Sequence, residues 1–170
     1  LHTRITMGSI GLMHIEKVSL PQEFVDEIYI EFQKTGKQGF ERLALLAGKK
    51  NGNKFVVTHL LFPNQKLSKS IYGVSFHVSG EELERIWDWL FANNCFLIAQ
   101  VHSHPQVAYH SEADDDLAII TSFGGFSIVI PDFGNSDQNF EGSAIFRLLP
   151  EKGWSELTRN QIDNIFKITE

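Results

Sequence analysis

Two histidines separated by one residue follow an apolar run near the middle of the chain. The run ends at Val101 and is followed directly by His102-Ser103-His104-Pro105. Because side chains two residues apart on a strand point to the same face, both imidazoles are expected to point in one direction. Pro105 then ends the strand, since it has no backbone N–H to donate. Two imidazoles held in this way can bind a metal ion, although a His-x-His pair alone is more often incidental.

A carboxylate further along the chain can complete such a site. Ser111 and Asp114 have the S-x-x-D spacing of a capping box, whose plain role is to satisfy N–H groups at the start of a helix. Asp114 can also add an oxygen ligand to His102 and His104. Two imidazoles and one carboxylate leave a fourth tetrahedral position for water, as in a hydrolytic zinc site. We therefore predict one Zn²⁺ per chain on these three residues. His110 is expected at the rim, because a fourth protein ligand would exclude the water.

The composition restricts the metal chemistry and the class of function. The 170 residues are 42% hydrophobic, which fits one domain with a sizeable core. Seven histidines against one cysteine, Cys95, exclude an internal disulfide and a Cys-rich metal cluster. The net charge of −6 argues against non-specific nucleic-acid binding. No apolar run has the length of a membrane span or signal peptide, so we expect a cytoplasmic protein without a membrane partner.

Strand and helix patterns alternate along the chain, which predicts an α/β fold with a mixed sheet in a single domain. Strands are predicted at His14–Leu20, Phe40–Ala47, Phe55–Phe62, Ile71–Val78, Phe96–Val101, Phe126–Ile130 and Ala144–Leu149. Helices are predicted from Pro21 to about Lys34, from the Ser79–Glu82 capping box to Asn94, and over Leu117–Ser122. We assign residues 14–170 to the domain and residues 1–13 to an N-terminal segment that is partly introduced by cloning.

Turn and loop signals lie between these elements. Asn51-Gly52 is a strong hairpin signal, because both residues tolerate positive φ. Two polar stretches, Asn64–Ser70 and Asp132–Asn139, are predicted as loops beside the site and as candidates for substrate selection. The tail, residues 154–170, has loosely helical apolar spacing and is expected to pack on the domain or on a partner.

The site residues resemble the signature of the JAMM (JAB/MPN+) zinc metalloprotease family. That signature is a Glu on an early strand, then H-x-H-P, then S-x-x-D, and the last two parts are His102-Ser103-His104-Pro105 and Ser111-Glu112-Ala113-Asp114. The first part is similar to Glu41, which heads an apolar strand that ends in Gly48. The resemblance extends from about His14 to Leu149. It implies the JAB/MPN fold, a cytidine-deaminase-like mixed sheet flanked by helices.

The loop between the two motifs is shorter than in many family members. Only the five residues Gln106 to His110 separate the motifs, where six or seven are common in the family. Asp115 and Asp116 are therefore alternative ligands. We keep Asp114, because helix geometry sets the S-x-x-D relation while the preceding loop can shorten.

The resemblance implies a role for each residue. Zinc lowers the pKa of bound water to about 7. Glu41 is then the general base that takes the proton of this water and passes it to the leaving amine. Ser111 hydrogen-bonds the tetrahedral intermediate. Taken alone, Glu41 would be explained as an edge-strand charge that deters aggregation. Ser103 faces the other side of the strand and is assigned no chemistry.

The substrate is also implied by the resemblance. It is the bond after the C-terminal tail of a ubiquitin-like protein or its conjugates, and the tail could add as a strand beside the sheet. The compact chain looks most like stand-alone bacterial JAB enzymes of ubiquitin-like conjugation operons, with activating and conjugating enzymes as partners. Two alternatives stay open. One is a zinc peptidase that trims the C-terminus of a sulfur-carrier protein, and the other is a non-catalytic MPN scaffold, a class that normally lacks one or more ligands.

Overall fold

A mixed sheet of eight strands is the centre of the fold. The computed structural model describes residues 11–70, 73–109 and 118–170. The strands are β1 (Lys17–Pro21), β2 (Leu43–Asn51), β3 (Lys54–Leu61), β4 (Lys66–Ser70), β5 (Gly73–His77), β6 (Phe96–Ser103), β7 (Phe126–Ile130), β8 (Ala144–Leu149), β9 (Gly153–Glu156) and β10 (Phe166–Thr169). The helices are α1 (Gln22–Gly36), α2 (Gly80–Ala92) and α3 (Arg159–Ile165). None of the helices in these described ranges is long and apolar enough to cross a membrane.

The sheet has both parallel and antiparallel neighbours. Its order is β10-β1-β3-β2-β6-β7-β8-β9, and β4 and β5 form a separate two-stranded hairpin. At the centre, β6 is antiparallel to β2 and parallel to β7. This arrangement confirms the predicted α/β fold with a mixed sheet.

The central strand β2 is buried on both faces. Leu43 and Leu45 belong to an apolar cluster that contains the inner residues of α2. Ala44 and Leu46 belong to a second cluster that contains the inner residues of α1. Each buried Leu side chain contributes roughly 1.5–3 kcal/mol relative to exposure. The strands that lead to the candidate site are therefore fixed from both sides.

Several predicted elements are confirmed. The helix predicted from Pro21 is α1, with Ile28 and Phe32 among its buried residues. The hairpin predicted at Asn51-Gly52 joins β2 to β3: Asn51 is the last residue of β2, and Gly52, which begins the turn, has a φ of 61°. The strand predicted to end at Val101 is β6, which continues through His102 and Ser103.

Glu82 connects α2 to the chain that precedes β4. Ser79 caps α2 as predicted, since its Oγ accepts from Glu82 N at 3.2 Å. The Glu82 carboxylate accepts from Asn64 N at 3.0 Å and from Arg85 Nε at 2.8 Å. The hydrogen bonds from Arg85 lower the pKa of Glu82 to about 2. Glu82 therefore stays charged and fastens residue 64 to the start of α2.

Three predictions are wrong in part. Leu117 lies outside the described residues, and residues 118–122 are not helical because two of their N–H groups donate to a side chain of β6. The predicted loop Asn64–Ser70 contains β4, which pairs with β5. Ile71, the predicted start of the latter strand, lies outside the described residues. Within the tail, residues 154–170, α3 is the only helix. The last strand of the tail, β10, pairs with β1 at the edge of the sheet.

Candidate metal centre

The side chains of His102 and His104 converge at the end of β6. Their Nε2 atoms are 3.1 Å apart, and the two residues are only 1% and 4% exposed. Around a tetrahedral zinc ion with Zn–N bonds of about 2.0–2.1 Å, two ligand nitrogens are ~3.3 Å apart. The observed separation fits two imidazoles that share one metal ion.

A hydrogen bond fixes the ring orientation of His104. Its Nδ1 lies 3.2 Å from the carbonyl oxygen of Val107. Because a carbonyl can only accept, Nδ1 is the protonated nitrogen and Nε2 carries the lone pair. Metal-binding histidines usually have such a partner on the other ring nitrogen, which sets the tautomer. The Nε2 atom that points to His102 is thus the one prepared to bind a metal.

The main chain of His104 is held by β7 and the turn after it. His104 N donates to Ile130 O at 2.8 Å, and Phe133 N donates to His104 O at 2.8 Å. Asp132 and Phe133 have left-handed φ angles of 50° and 49°, which are strained for residues other than glycine. The loop predicted over Asp132–Asn139 therefore begins in contact with the backbone of His104.

The pairing of β2 with β6 brings the chain that precedes β2 close to the histidines. Leu43 pairs with His102 in an antiparallel register. Beyond this pair, Ser103 N donates to Arg42 O at 3.1 Å, so the chain next to Glu41 runs beside the histidines. Glu41 itself lies two residues before the first residue of β2, so the strand predicted from Phe40 begins only at Leu43. The role of the Glu41 carboxylate stays a prediction.

Ser103 has a positioning role that the sequence did not reveal. It lies between the two histidines and is fully buried. Its Oγ accepts from Arg42 N at 3.0 Å, and its N donates to Arg42 O at 3.1 Å. Arg42 forms an ion pair with Glu31 of α1 at 3.0 Å. These contacts fix the backbone of the residue that follows Glu41. The sequence did contain a signal for this role: a hydroxyl within a buried strand needs a hydrogen-bonding partner.

The side chain of Gln65 continues the sheet where β3 ends. The last residue of β3, Leu61, pairs with Leu45. At Leu43, Gln65 Oε1 accepts from the backbone N at 2.8 Å, and Gln65 Nε2 donates to the backbone O at 2.5 Å. The amide thus acts as one additional strand residue, two positions from Glu41. It connects the base of the β4–β5 hairpin to the site.

Part of the predicted site lies outside the described residues. Ser111, Asp114 and His110 belong to residues 110–117, as do the alternative ligands Asp115 and Asp116. Within residues 11–70, 73–109 and 118–170, no three His, Cys, Asp or Glu side chains form a metal-binding group. The roles of Ser111 and Asp114 therefore stay predictions.

Comparison with known sequences matches most of the chain. A family model described as prokaryotic homologs of the JAB domain matches residues 27–137. The probable metalloprotease y4jG of Sinorhizobium fredii (strain NBRC 101917 / NGR234) is 34% identical over 159 residues. That match covers 94% of this chain and 98% of the relative.

A solved structure has a similar fold. The solution structure of protein DSY2949 from Desulfitobacterium hafniense matches with a TM-score of 0.60 and covers 90% of this chain and 93% of that one. The identity is 18%, so this likeness concerns the fold alone.

Proposed function

Because this chain belongs to the JAB-domain metalloprotease family, we propose that it is a zinc-dependent peptidase that cleaves after the C-terminal tail of a ubiquitin-like protein. The observation that carries the proposal is the buried pair of His102 and His104, whose Nε2 atoms are 3.1 Å apart. The hydrogen bonds between Arg42 and Ser103, which hold the chain next to Glu41 beside the histidines, support a catalytic role for Glu41.

Three residues hold the metal ion in this proposal. His102 and His104 bind through Nε2, and Asp114 binds through its carboxylate, with Asp115 and Asp116 as the alternatives. Two imidazoles and a carboxylate suit Zn²⁺ and leave a position for water. The single cysteine, Cys95, is buried in the apolar cluster beside α2, so thiolate chemistry is not used.

Each of the remaining residues has one task in amide hydrolysis. A zinc ion held by these residues would supply a water whose pKa is lowered to about 7. Glu41 accepts a proton from the attacking water and later donates it to the amine nitrogen, so that the C–N bond breaks without a net change in protons. Ser111 donates a hydrogen bond to the carbonyl oxygen as that oxygen becomes negative.

An extended peptide tail suits the surface beside Glu41. The β4–β5 hairpin begins directly after Gln65, whose amide binds Leu43 next to the site. Because β4 and β5 pair only with each other among the described residues, each has an outer edge there that can pair with an added strand. Main-chain hydrogen bonds of this kind hold a tail of small residues without requiring side-chain pockets.

The experiment is cleavage of a ubiquitin-like protein that carries a C-terminal peptide extension. The zinc-loaded protein is incubated with this fusion, and the products are identified by mass spectrometry. We expect release of the intact extension after the tail of the ubiquitin-like protein. Release of a single free amino acid would instead indicate trimming of a sulfur carrier. A zinc-loaded protein that leaves both types of substrate uncut would contradict the proposal and favour a scaffold.

Replacement of Glu41 tests the catalytic assignment. The Glu41→Gln variant is expected to retain zinc and to lose about 10²–10⁴-fold in cleavage rate, because the amide cannot accept the proton. Glu84→Gln, at an exposed position of α2, is the matched control and should cleave at the parent rate. Parent-like cleavage by Glu41→Gln would show that another group is the base.

A further inference from the structure

Gln100 is a buried polar residue within the apolar strand β6. It is 3% exposed. Its Oε1 accepts two backbone hydrogen bonds, from Ile119 N at 2.9 Å and from Ile120 N at 3.0 Å. Its Nε2 donates to Ser127 Oγ at 3.4 Å. Burial of an unpaired amide would cost several kcal/mol, so these bonds are what makes Gln100 tolerable in the core.

The position of Gln100 relates it directly to the histidines. Gln100 and His102 are two residues apart on one strand, so their side chains point to the same face. Ser127, which orients the amide, is the residue paired with Gln100 on the parallel neighbour β7. Ser127 is fully buried as well. The acceptor for Ile119 and Ile120 is therefore held rigidly on the face that carries the metal-binding imidazoles.

Ile119 and Ile120 are near the point where the described chain resumes after residues 110–117. Residues 118–121 belong to neither a helix nor a strand, so a sheet or helix partner does not fix their backbone. The side-chain amide of Gln100 fixes this backbone instead, by accepting hydrogen bonds from Ile119 N and Ile120 N. In sequence, Asp114 precedes Ile119 by five residues, which limits its distance from this anchor to roughly 18 Å.

The last described residues before position 110 contact His104. Val107 O lies 3.2 Å from His104 Nδ1, and the ring of Tyr109 packs edge-on against His104 with centroids 4.7 Å apart. The described residues before position 110 are thus attached to His104, and those after position 117 are attached to Gln100.

We propose that Gln100 is a positioning residue for the third metal ligand. By fixing Ile119 and Ile120, which follow Asp114 by five and six residues, its amide limits how far the Asp114 carboxylate can lie from His102 and His104. This inference rests on the proposed function, because it assumes that Asp114 binds the metal with the two histidines. It assigns Gln100 no contact with metal or substrate.

Metal binding by Gln100 variants tests this role without a substrate. Zinc affinity of the metal-free protein is measured by competition with a chelator, and Co²⁺ absorption reports the ligand geometry. Gln100→Met keeps the volume but removes the acceptor, and we expect zinc affinity to fall about 10- to 100-fold with an altered Co²⁺ spectrum. Gln100→Glu should restore both readouts, because a carboxylate accepts the same two N–H groups while the Ser127 hydroxyl turns to donate.

A stability control separates positioning from a general loss of structure. Tyr29→Phe removes hydrogen bonds on the other face of the sheet, because Tyr29 belongs to the apolar cluster of α1 whereas Ile119 and Ile120 belong to that of α2. It should therefore lower stability without weakening zinc binding. In an Asp114→Asn background, Gln100→Met should cause no further loss of zinc affinity, because the ligand that it positions is already absent. A further loss of the same size would overturn the inference.

Hydrogen exchange gives a second test that does not depend on the folding of a variant. If Gln100 couples these amides to the metal ligand, zinc must slow exchange at Ile119 and Ile120 in the parent protein, by thermodynamic linkage. Unchanged exchange at both amides, or a Gln100→Met variant with parent-like affinity and spectrum, would overturn the inference alone. Failure of the parent to bind zinc would overturn the proposed function and the inference with it.

Discussion

Two groups of residues place polar side chains in the interior. They are the Tyr29 cluster, which consists of Tyr29, Asp137 and Phe140, and the pair of His102 and His104, and their hydrogen-bonding groups are arranged differently. The Tyr29 hydroxyl donates to Asp137 Oδ2 at 3.1 Å and accepts from Phe140 N at 3.0 Å. Asp137 Oδ2 also accepts from Gly142 N at 2.8 Å. In this cluster, donors and acceptors of different types meet, and the protein itself supplies both.

His102 and His104 instead direct two nitrogens of the same type toward one point. Because Nδ1 of His104 donates to Val107, its Nε2 has a lone pair to share with a cation. The difference between the clusters teaches how to separate structure from function among buried polar groups. Complementary groups stabilise the fold, whereas two ring nitrogens of the same kind that converge in this way can bind a cation between them. Variants in each cluster should therefore affect different properties.

The largest effect is expected at the histidine pair. His104→Asn removes an imidazole ligand, and zinc affinity should fall by more than about 100-fold, with cleavage lost in parallel. Chelator competition and the fusion-cleavage assay measure the two quantities. Thermal unfolding of the metal-free variant serves as the control for folding. Tight zinc binding by His104→Asn would mean that the pair does not share a metal.

The Tyr29 cluster should show the opposite pattern. Tyr29→Phe leaves the polar groups of Asp137 and Phe140 without the hydroxyl, which should lower the free energy of unfolding by about 1–3 kcal/mol. Zinc affinity and cleavage rate should equal those of the parent. Denaturant unfolding and the zinc assay check both statements, and a large loss of zinc affinity would remove the distinction between the clusters.

The smallest effect concerns alkaline pH. Burial, with a further contribution from the Asp137 charge, raises the pKa of Tyr29 above its ordinary value of 10.0. The folded protein therefore holds this proton more tightly than the unfolded chain does. The resulting stability is complete below about pH 10 and is lost above it, by at most ~1.4 kcal/mol per pH unit. Unfolding experiments between about pH 8 and about pH 11 should show this slope in the parent and a shallower one in Tyr29→Phe.

Local sequence patterns were sufficient for the central strands and for the histidine pair. The apolar runs predict β2 and β6, and the spacing of His102 and His104 at the end of the second run predicts that their side chains converge. The turn that begins at Gly52 also follows from local chemistry. Each of these features depends on residues close together in the chain, which is why local patterns predict them.

Partners that are distant in sequence could not be predicted in the same way. Residues 118–122 were expected to be helical, but the amides of Ile119 and Ile120 donate to Gln100, which lies on another element. Gln65 meets Leu43 only because β3 ends before it covers that residue. A polar residue inside an apolar strand indicates that a partner exists, but the fold decides which one.

The most direct test of the metal centre is the zinc content of the purified protein. The full chain is supplied with zinc, free metal is removed, and bound metal is measured by elemental analysis against the protein concentration. A value close to one zinc ion per chain is predicted from His102, His104 and a single carboxylate ligand. A folded protein that retains no zinc under these conditions would contradict the assignment of the histidine pair as a metal centre.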